Sequence, residues 1–286
     1  MPAAVSIHQI YYDQASRELL ELGYLPLDNT ENLRPDWYEF WPIRNYLRTQ
    51  PLEDGRWYGF FSPRFAEKTR LSAADVLDFI GTIDGYADVA LFSPYWDQIA
   101  YFQNSFEQGE YYHPGLRDAA ARFFAHAGIA IDLDTLVSDS ATSVFSNYIV
   151  AKPAFWRAWL QLADSLFDFA ENSADPAAIA LRDTTDYKGS DAHVPMKVFI
   201  QERLASVILA GGGYRTATID ISDRRRPANL LPPVVLRALQ SCDLLKQQFR
   251  RTGDRTYFEA YRKLRATIPM ARPAAGGVAP RRSLAR

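Results

Sequence analysis

Apolar side chains in the first part of the chain follow strand-like and helix-like spacings in turn. Residues 6–12 are rich in strand formers, and residues 14–22 carry leucines at helical spacing. Gly23 then separates this helix from a second apolar run at residues 24–27. The order predicts a β-α-β opening. Further strands are predicted at residues 57–62, 88–92, 143–151 and 216–221.

Helical patterns fill most of the intervals between these strands. Ser72 stands three residues before Asp75 in a capping-box spacing, and Ser93 precedes Pro94, so both serines are predicted to begin helices. The predicted helices cover residues 73–82, 94–108, 114–127, 153–171, 195–210, 233–249 and 254–266. Residues 175–193 are polar and predict an irregular segment. Because strands alternate with helices, we expect an α/β fold with a mostly parallel sheet flanked by helices, and a helical basic C-terminal segment.

The composition excludes several classes of protein. With 48% hydrophobic residues among 286, the chain can bury a large core, and its single cysteine excludes a disulfide framework. The longest stretches without Asp, Glu, Lys or Arg have 12 residues, whereas a membrane-spanning helix needs about 20. Residues 1–12 also lack the basic start and apolar run of a signal peptide. We therefore expect a cytoplasmic protein. Contact with the inner face of the plasma membrane is compatible with this expectation.

Charge is distributed unevenly along the chain. The net charge is −2, but residues 214–286 contain 16 Lys and Arg against 5 Asp and Glu, a balance of +11 that leaves −13 for residues 1–213. A basic helical segment suits an acidic partner such as an anionic membrane surface or nucleic acid. The alternative is a solvated helical face that only balances the acidic body. A nucleic-acid partner is not expected, because the pI is about 6.1 and no recognition motif is present.

These patterns divide the chain into three parts. Residues 1–213 are predicted to form the ligand-binding domain, and residues 214–270 a basic helical extension packed on it. Residues 271–286, rich in Pro, Gly, Ala and Arg, are predicted to form a disordered tail.

The common catalytic and cofactor motifs are missing from the sequence. It has no G-x-G-x-x-G, G-x-x-x-x-G-K-[ST], H-E-x-x-H or G-x-S-x-G, which excludes a dinucleotide fingerprint, a P-loop, a zincin helix and a nucleophile elbow. The four histidines have no ligand spacing. Asp132-Leu-Asp134 fits the D-x-D pattern that holds a divalent cation in many nucleotide-sugar transferases, but paired acids at a helix start are common. No metal ligand is therefore assigned, and a role for Mn²⁺ or Mg²⁺ is left open.

The stretch from Leu27 to Asn45 has a ligand-binding composition. It combines carboxylates, amides, arginines and large aromatics directly after a predicted strand, where ligands bind in open α/β sheets. Carboxylates and amides bind hydroxyl groups, arginine binds phosphate, and aromatic rings stack on sugars or bases. With two cations from the stretch after residue 62, the candidate donor-binding residues are Tyr12, Asp28, Asn29, Arg34, Glu39, Arg64 and Lys68. The alternatives are N-capping by Asp36 with the aromatics in the core, and an ordinary polar loop after residue 62.

Two carboxylates are candidates for a catalytic base. Asp97 falls in the first turn of the helix after the strand at residues 88–92, at the same edge of the sheet, although it would also complement the helix dipole. Glu202 falls on the apolar face of the predicted helix at residues 195–210, where a buried charge needs either a structural ion pair or a site. The loop that is expected to contact an acceptor, or alternatively to cap the preceding helix, contains Gln108, Glu110 and His113.

Several short motifs occur in an order that resembles one protein family. They are Asp36-Trp-Tyr-Glu39, Tyr58-Gly-Phe-Phe-Ser-Pro-Arg-Phe65, Ala87-Asp-Val-Ala-Leu-Phe-Ser-Pro94, Asn147-Tyr-Ile-Val-Ala-Lys152 and Val198-Phe-Ile-Gln-Glu-Arg-Leu204. Their order and approximate spacing over residues 6–210 resemble a family, of unknown function, of capsular and exopolysaccharide glycosyltransferases. The resemblance rests on the collinear set rather than on any one motif.

The resemblance implies a GT-A-like fold that transfers a sugar from a nucleotide-sugar donor to a glycan or lipid-linked glycan, as in surface-polysaccharide assembly. The positions that it implies are functional are Glu39, Arg64, Asp88, Asn147, Glu202 and Arg203, with Asn147 and Arg203 expected at the acceptor. The chain departs from the family at Phe61-Ser-Pro-Arg64, which keeps one arginine where the family has His-Tyr-Arg-Arg. We therefore expect a glycosyltransferase. The alternative is a non-catalytic carbohydrate- or nucleotide-binding protein on the same fold.

Overall fold

A mixed sheet of six strands lies at the centre of the protein. The computed structural model describes residues 3–187, 190–221 and 231–269. The strands in these ranges are β1 Val5–Tyr11, β2 Leu25–Asp28, β3 Trp57–Phe61, β4 Val89–Leu91, β5 Ile149–Ala151, β6 Thr184–Tyr187, β7 Ser190–Pro195 and β8 Thr216–Thr218. The sheet order is β2-β1-β3-β5-β4-β8, and neighbouring strands are parallel except where β5 pairs with β3 and β4. The expected α/β fold with a mostly parallel sheet is confirmed.

Helices connect the strands and cover the sheet. The α-helices of the described residues are α1 Gln14–Arg17, α2 Phe40–Thr49, α3 Phe65–Thr69, α4 Ala73–Ile83, α5 Trp96–Tyr101, α6 Ser105–Tyr112, α7 Leu116–His126, α8 Pro153–Asn172, α9 Pro176–Arg182, α10 Met196–Gln201, α11 Leu204–Ala210, α12 Pro233–Thr252 and α13 Arg255–Arg265. A 3-10 turn at Pro35–Trp37 precedes α2. Most predicted helices are found close to their expected bounds, because their capping signals and apolar periodicity agree.

The sheet is apolar on both faces, so both faces are covered. Phe60 and Phe61 are neighbours in the fully buried β3 and point to opposite sides of the sheet. Phe60 belongs to the core formed with α2, α7 and α8, and Phe61 to the core formed with α4. A third, smaller core around Leu239, Cys242 and Tyr261 joins α12 and α13 to α5. The C-terminal helices are therefore attached to the sheet domain through α5.

The prediction for the first helix is wrong in length. The helix was expected over residues 14–22, but α1 ends at Arg17. The buried Gln9 explains this end: its side-chain amide donates to the Leu19 carbonyl at 3.3 Å, and its oxygen accepts from the Glu21 amide at 2.8 Å. These two bonds hold the backbone after α1 in a turn.

Two predicted long helices are each broken into two. The side chain of Asn104 accepts from the backbone amides of Phe106 and Glu107 and thereby caps α6, which separates it from α5. The second break comes at Glu202 and Arg203, between α10 and α11. There the Arg203 guanidinium donates to the Phe199 carbonyl at 2.5 Å, while its backbone amide bonds to Ile200 instead. A side chain thus occupies the acceptor that a continuous helix would use.

Two further predictions need correction. Residues 175–193 are not irregular, because they contain α9 and the antiparallel hairpin of β6 and β7. The strand predicted at residues 143–151 is confined to its last three residues. Upstream of it, the amides of Val144 and Phe145 donate to the hydroxyls of Ser206 and Ser93 rather than to a strand. The tail predicted at residues 271–286 lies outside the described residues.

Candidate functional site

A small cleft opens at the carboxyl ends of β1 and β2. Its walls are formed by Ile10, Tyr12, Asn29, Asn32, Pro35, Tyr38 and Glu39. Three of the residues predicted to bind a donor, Tyr12, Asn29 and Glu39, therefore line one cavity. Asn32 and Tyr38 were not assigned as candidates, although they lie in the stretch that the sequence analysis singled out.

Asp28 lies at the end of β2, directly before the cleft residue Asn29. Its carboxylate accepts from the Tyr11 hydroxyl at 2.7 Å and from the Thr30 amide at 2.8 Å. The hydrogen bond from Tyr11, followed by those from Thr30, holds the pKa of Asp28 below its usual value. Asp28 was predicted to bind the donor, and the structure shows it engaged with the turn that leads into the cleft.

A network of charges fixes the outer wall of the cleft. Arg34, also predicted to bind the donor, instead donates to Asp36 at 2.9 Å and pairs with Glu171 at 2.8 Å. Lys197, only 3% exposed, pairs with the same two carboxylates. The Trp37 ring nitrogen donates to Glu171 at 2.8 Å. Arg34 therefore has structural partners on the protein, and the network ties the 3-10 turn to α8 and α10.

Lys68 lies at the same edge of the sheet, closer to its centre. It is in α3, directly after β3, and its Nζ donates to Ser146 Oγ at 3.0 Å, just before β5. Burial opposes its charge, but the acidic groups around it, among them Tyr148, Glu202 and Glu39, hold the pKa of Lys68 above its usual value. Lys68 is therefore an ammonium group at neutral pH, as an anion-binding role requires.

Glu202 approaches Lys68 from the break between α10 and α11. Burial raises the pKa of Glu202, and the charge of Glu39 adds to this effect, while Lys68 and Arg203 oppose it. Glu39 affects both Lys68 and Glu202 and also lines the cleft. Glu39, on the wall of the cleft, is therefore close enough to influence the ionisation of both groups.

Asn147 completes this part of the site. Its side-chain nitrogen donates to Gln201 Oε1 at 2.6 Å, next to Glu202 in the chain. The residue is 2% exposed, and its Oδ1 atom has no hydrogen-bond partner in the described part of the protein. A buried amide oxygen without a partner is costly, so it suggests a ligand group at this position. We refer to Lys68, Asn147, Tyr148 and Glu202 as the edge cluster.

Left-handed backbone is concentrated around the cleft and the edge cluster. The non-glycine residues with positive φ among those described are Asn32, Tyr38, Arg70, Tyr95, Ser146 and Asn147. Two of them line the cleft, Ser146 and Asn147 precede β5, and Tyr95 follows β4 at the same edge. Such conformations cost of order 1–3 kcal/mol each and cluster at functional sites. Sequence reasoning missed Tyr95 and Ser146, because no local pattern marks these side chains for left-handed backbone.

The other residues that were predicted to bind the donor or to act as the catalytic base do not line the cleft. Arg64 forms a partly exposed ion pair with Glu67 at 2.8 Å. Asp97 lies in the first turn of α5, at the correct edge of the sheet. Asp88, implied by the resemblance, precedes β4 at the opposite edge and pairs with Arg215 at 2.8 Å. Its position separates it from the cleft.

The predicted acceptor residues, Asn147 excepted, are engaged inside the protein. Arg203 is 2% exposed and donates to the Ser105 carbonyl at 2.7 Å and to Gln108 at 2.5 Å. Glu110 accepts from the amides of Gly115 and Arg117, both at 2.9 Å, which caps the start of α7. The buried His113 stacks on Phe199 at a centroid distance of 3.6 Å. These contacts indicate structural roles for Gln108, Glu110, His113 and Arg203.

The described residues contain neither a cluster of metal ligands nor a helix that could span a membrane. No group of three or more His, Cys, Asp or Glu side chains there is arranged to hold a metal ion. Asp132 caps its own turn through Thr135, and Asp134 pairs with Arg117 at 2.6 Å, so the D-x-D sequence has structural contacts. No helix in the described ranges combines the length and the apolar composition that crossing a membrane requires.

Comparison with known proteins gives no relative. No protein-family model matches the chain, and neither a curated protein nor a solved structure is significantly similar to it. The geometry of the site is therefore the basis for inferring the function.

Proposed function

We propose that the protein is a glycosyltransferase with a GT-A-like domain, which moves a sugar from a nucleotide-activated donor to a glycan acceptor. The observation that carries this proposal is a polar cleft at the carboxyl edge of the sheet, with the Lys68 ammonium bonded to Ser146 and the buried, unpartnered Asn147 Oδ1 at the same edge. In α/β folds, ligands bind at this edge. The collinear motifs of a glycosyltransferase family agree with the proposal.

The cleft suits the nucleoside part of a donor. The side chains of Asn29 and Asn32 offer both donors and acceptors to a base or a ribose, and the ring of Tyr12 or Tyr38 offers a stacking surface. The wall network around Lys197 keeps these groups in place.

The edge cluster suits the reacting end of the donor. As the bond between the anomeric carbon and the phosphate oxygen breaks, negative charge builds up on the departing diphosphate, and the Lys68 ammonium would stabilise it. The acceptor hydroxyl forms the new bond to the anomeric carbon from the opposite side and gives its proton to Glu202, which gives an inverting transfer. Asn147 Oδ1 would accept a hydrogen bond from a sugar hydroxyl.

The first test is a thermal-shift screen with UDP-, GDP-, dTDP- and CMP-sugars, with and without Mn²⁺. A ligand that binds the folded state raises the melting temperature. We expect one nucleotide class to stabilise the wild type, and Asn29→Ala to reduce that shift because Asn29 lines the cleft. Asn172→Ala, at an exposed position on α8, is the matched control and should leave the shift unchanged. No shift with any nucleotide would refute the donor site.

A second measurement distinguishes transfer from binding alone. The slow hydrolysis of the stabilising nucleotide-sugar can be monitored by measuring the released nucleotide. This assay requires no knowledge of the acceptor. We expect Lys68→Met to abolish this release, because the leaving diphosphate loses its cation. Binding without release in the wild type would instead favour a non-catalytic nucleotide- or carbohydrate-binding protein.

A further inference from the structure

The helices α12 and α13 present a basic surface that points away from the protein. It consists of the exposed side chains Val234, Arg237, Leu244, Arg251, Arg255, Arg262 and Lys263. We call this set the basic surface. None of its five cations forms an ion pair with a described residue, and Arg251 bonds only to the neutral side chain of Gln248.

The other cations of the same helices serve a different purpose. Lys246 is fully buried and donates to the carbonyls of Ile99, at 2.5 Å, and Phe102, at 2.7 Å, near the end of α5. Arg265 pairs with Glu107 at 2.8 Å, and Arg250 with Asp139 at 2.9 Å. The inward cations thus fasten the two helices to the sheet domain, while the outward cations remain available to a partner.

The distribution of charge along the chain favours one orientation of the protein near an anionic surface. The described C-terminal part, residues 231–269, contains 8 Lys and Arg against 3 Asp and Glu, a balance of +5, whereas residues 1–213 carry −13. Near an anionic plane, this separation turns the C-terminal helices toward the plane and the acidic domain away from it. The outward cations are therefore in the position that charge complementarity with such a plane requires.

Apolar side chains within the basic surface favour a membrane over nucleic acid. Val234 is 66% exposed and Leu244 56% exposed, and both share the outer face of α12 with Arg237 and Arg251 through spacings of three and seven residues. Apolar side chains among cations insert into the boundary between headgroups and acyl chains. Phosphates along a duplex backbone offer them no comparable environment.

We propose that the basic surface docks the protein on a bilayer that contains anionic lipids. This goes beyond the proposed transferase activity, which requires no membrane. Docking by α12 and α13 leaves the cleft, which is built by β1, β2 and the segment up to α2, on other elements of the fold. A lipid-linked acceptor would then be reached by a protein held on the same surface.

Co-sedimentation of the full chain with vesicles tests this proposal. Vesicles of phosphatidylcholine alone are compared with vesicles that also contain phosphatidylglycerol, at low and high salt. We expect binding only to the mixed vesicles and only at low salt, with affinity reduced by at least about tenfold in Arg251→Gln/Arg255→Gln/Arg262→Gln. Val234→Ser/Leu244→Ser keeps every charge and should also weaken binding, because it removes the apolar insertion.

A matched control removes the same charge elsewhere. Arg48→Gln/Arg122→Gln/Arg157→Gln replaces three exposed arginines of the sheet domain and should bind vesicles like the wild type. Equal losses in both triple variants, or no binding of the wild type to mixed vesicles, would overturn the proposal. Salt-sensitive binding to duplex DNA without vesicle binding would assign the basic surface to nucleic acid instead. The nucleotide-induced thermal shift of the α12–α13 variants should stay at the wild-type value, so failure of docking and failure of the transferase proposal are separable.

Discussion

The Nζ atom of Lys197 lies 2.8 Å from Oε1 of Glu171. Glu171 is near the end of α8 and Lys197 near the start of α10. This ion pair therefore joins two helices that are separated in the chain by α9 and by the hairpin of β6 and β7. Lys197 also bonds to Asp36, in the 3-10 turn that borders the cleft. The wall of the candidate donor site is therefore fixed from behind by a nearly buried cation.

Replacing Lys197 by methionine should destabilise the fold and loosen the cleft. Lys197 is 3% exposed, and its loss leaves Glu171 and Asp36 with Arg34 as their remaining shared cation. Because Asp36 is 37% exposed, we expect a loss of about 2–3 kcal/mol rather than the full cost of a buried pair. Urea unfolding measures this loss. Lys263→Met, at an exposed site on α13, should be neutral, and equal stability of the two variants would show that the pair contributes nothing.

This network also shows which features of the protein could not be predicted from the sequence. Most strands of the six-stranded sheet and most helices were predictable, because apolar periodicity and capping residues are local signals. The stretch after β2 was predictable as a ligand-binding region by its composition. By contrast, Arg34 was assigned to donor binding because its partner Glu171 is far away in the sequence, and only the folded chain brings them within 2.8 Å.

Buried interactions between distant segments also explain the other errors. The predicted helix at residues 195–210 is broken where the Arg203 guanidinium occupies the Phe199 carbonyl, and Arg203 is held there by Ser105 and Gln108. Nothing in the helical pattern of residues 195–210 indicates those contacts. Glu202 was predicted as a buried carboxylate from its apolar face, whereas its position beside Lys68 depends on this break.

His8 should make stability depend on pH in a specific range. Its ring lies between Tyr46 and Phe60, at centroid distances of 4.4 and 5.4 Å, and neither ring nitrogen has a hydrogen-bond partner in the described structure. Burial lowers the pKa of His8 from 6.5 to about 4. The folded state therefore disfavours the proton that the unfolded chain accepts. Stability from this group is complete above pH 6.5 and is lost as the pH falls from 6.5 toward 4, by about 3 kcal/mol.

The variant His8→Phe isolates this effect. Phenylalanine keeps the aromatic packing with Tyr46 and Phe60 but cannot be protonated. Urea unfolding across this pH range should show a steep slope for the wild type and a much flatter one for His8→Phe. The acidic group of Asp36, whose pKa lies at about 2, responds only at lower pH and does not obscure the comparison. Identical slopes would mean that His8 is not the group responsible.

A pair of glycine substitutions should affect stability in opposite directions. A Cβ atom at Gly109, inside α6, would lie 2.8 Å from Leu116 Cδ2 and 2.9 Å from Arg203 Nε. Both neighbours are buried and Arg203 is held by hydrogen bonds, so Gly109→Ala should cost about 1–3 kcal/mol. At Gly81, in α4, nothing lies within 4 Å, and Gly81→Ala should stabilise the fold by up to about 1 kcal/mol. Thermal unfolding of the two variants compares them directly, and a stabilised Gly109→Ala would contradict this packing.

Glu202→Gln should remove catalysis while it preserves the fold and the donor site. The amide has the same shape but cannot take a proton, so we expect the turnover of the donor to fall by about 10²–10⁴-fold. The nucleotide-induced thermal shift should stay, because Glu202 does not line the cleft. Burial raises the pKa of Glu202, so the wild-type rate should increase with pH through that raised pKa, and Glu202→Gln should lack this increase.

Two further carboxylates decide whether this effect belongs to Glu202. Asp97→Asn tests the other candidate base, at the start of α5. Glu110→Gln is the structural control, because its carboxylate accepts from the amides of Gly115 and Arg117 and its loss should lower stability rather than change the pH profile. If Asp97→Asn abolishes turnover and Glu202→Gln does not, the base is Asp97, and Glu202 is the structural partner of Lys68. Loss of the pH-dependent rise in Glu202→Gln alone assigns proton transfer to the edge cluster, where burial raises the pKa of Glu202.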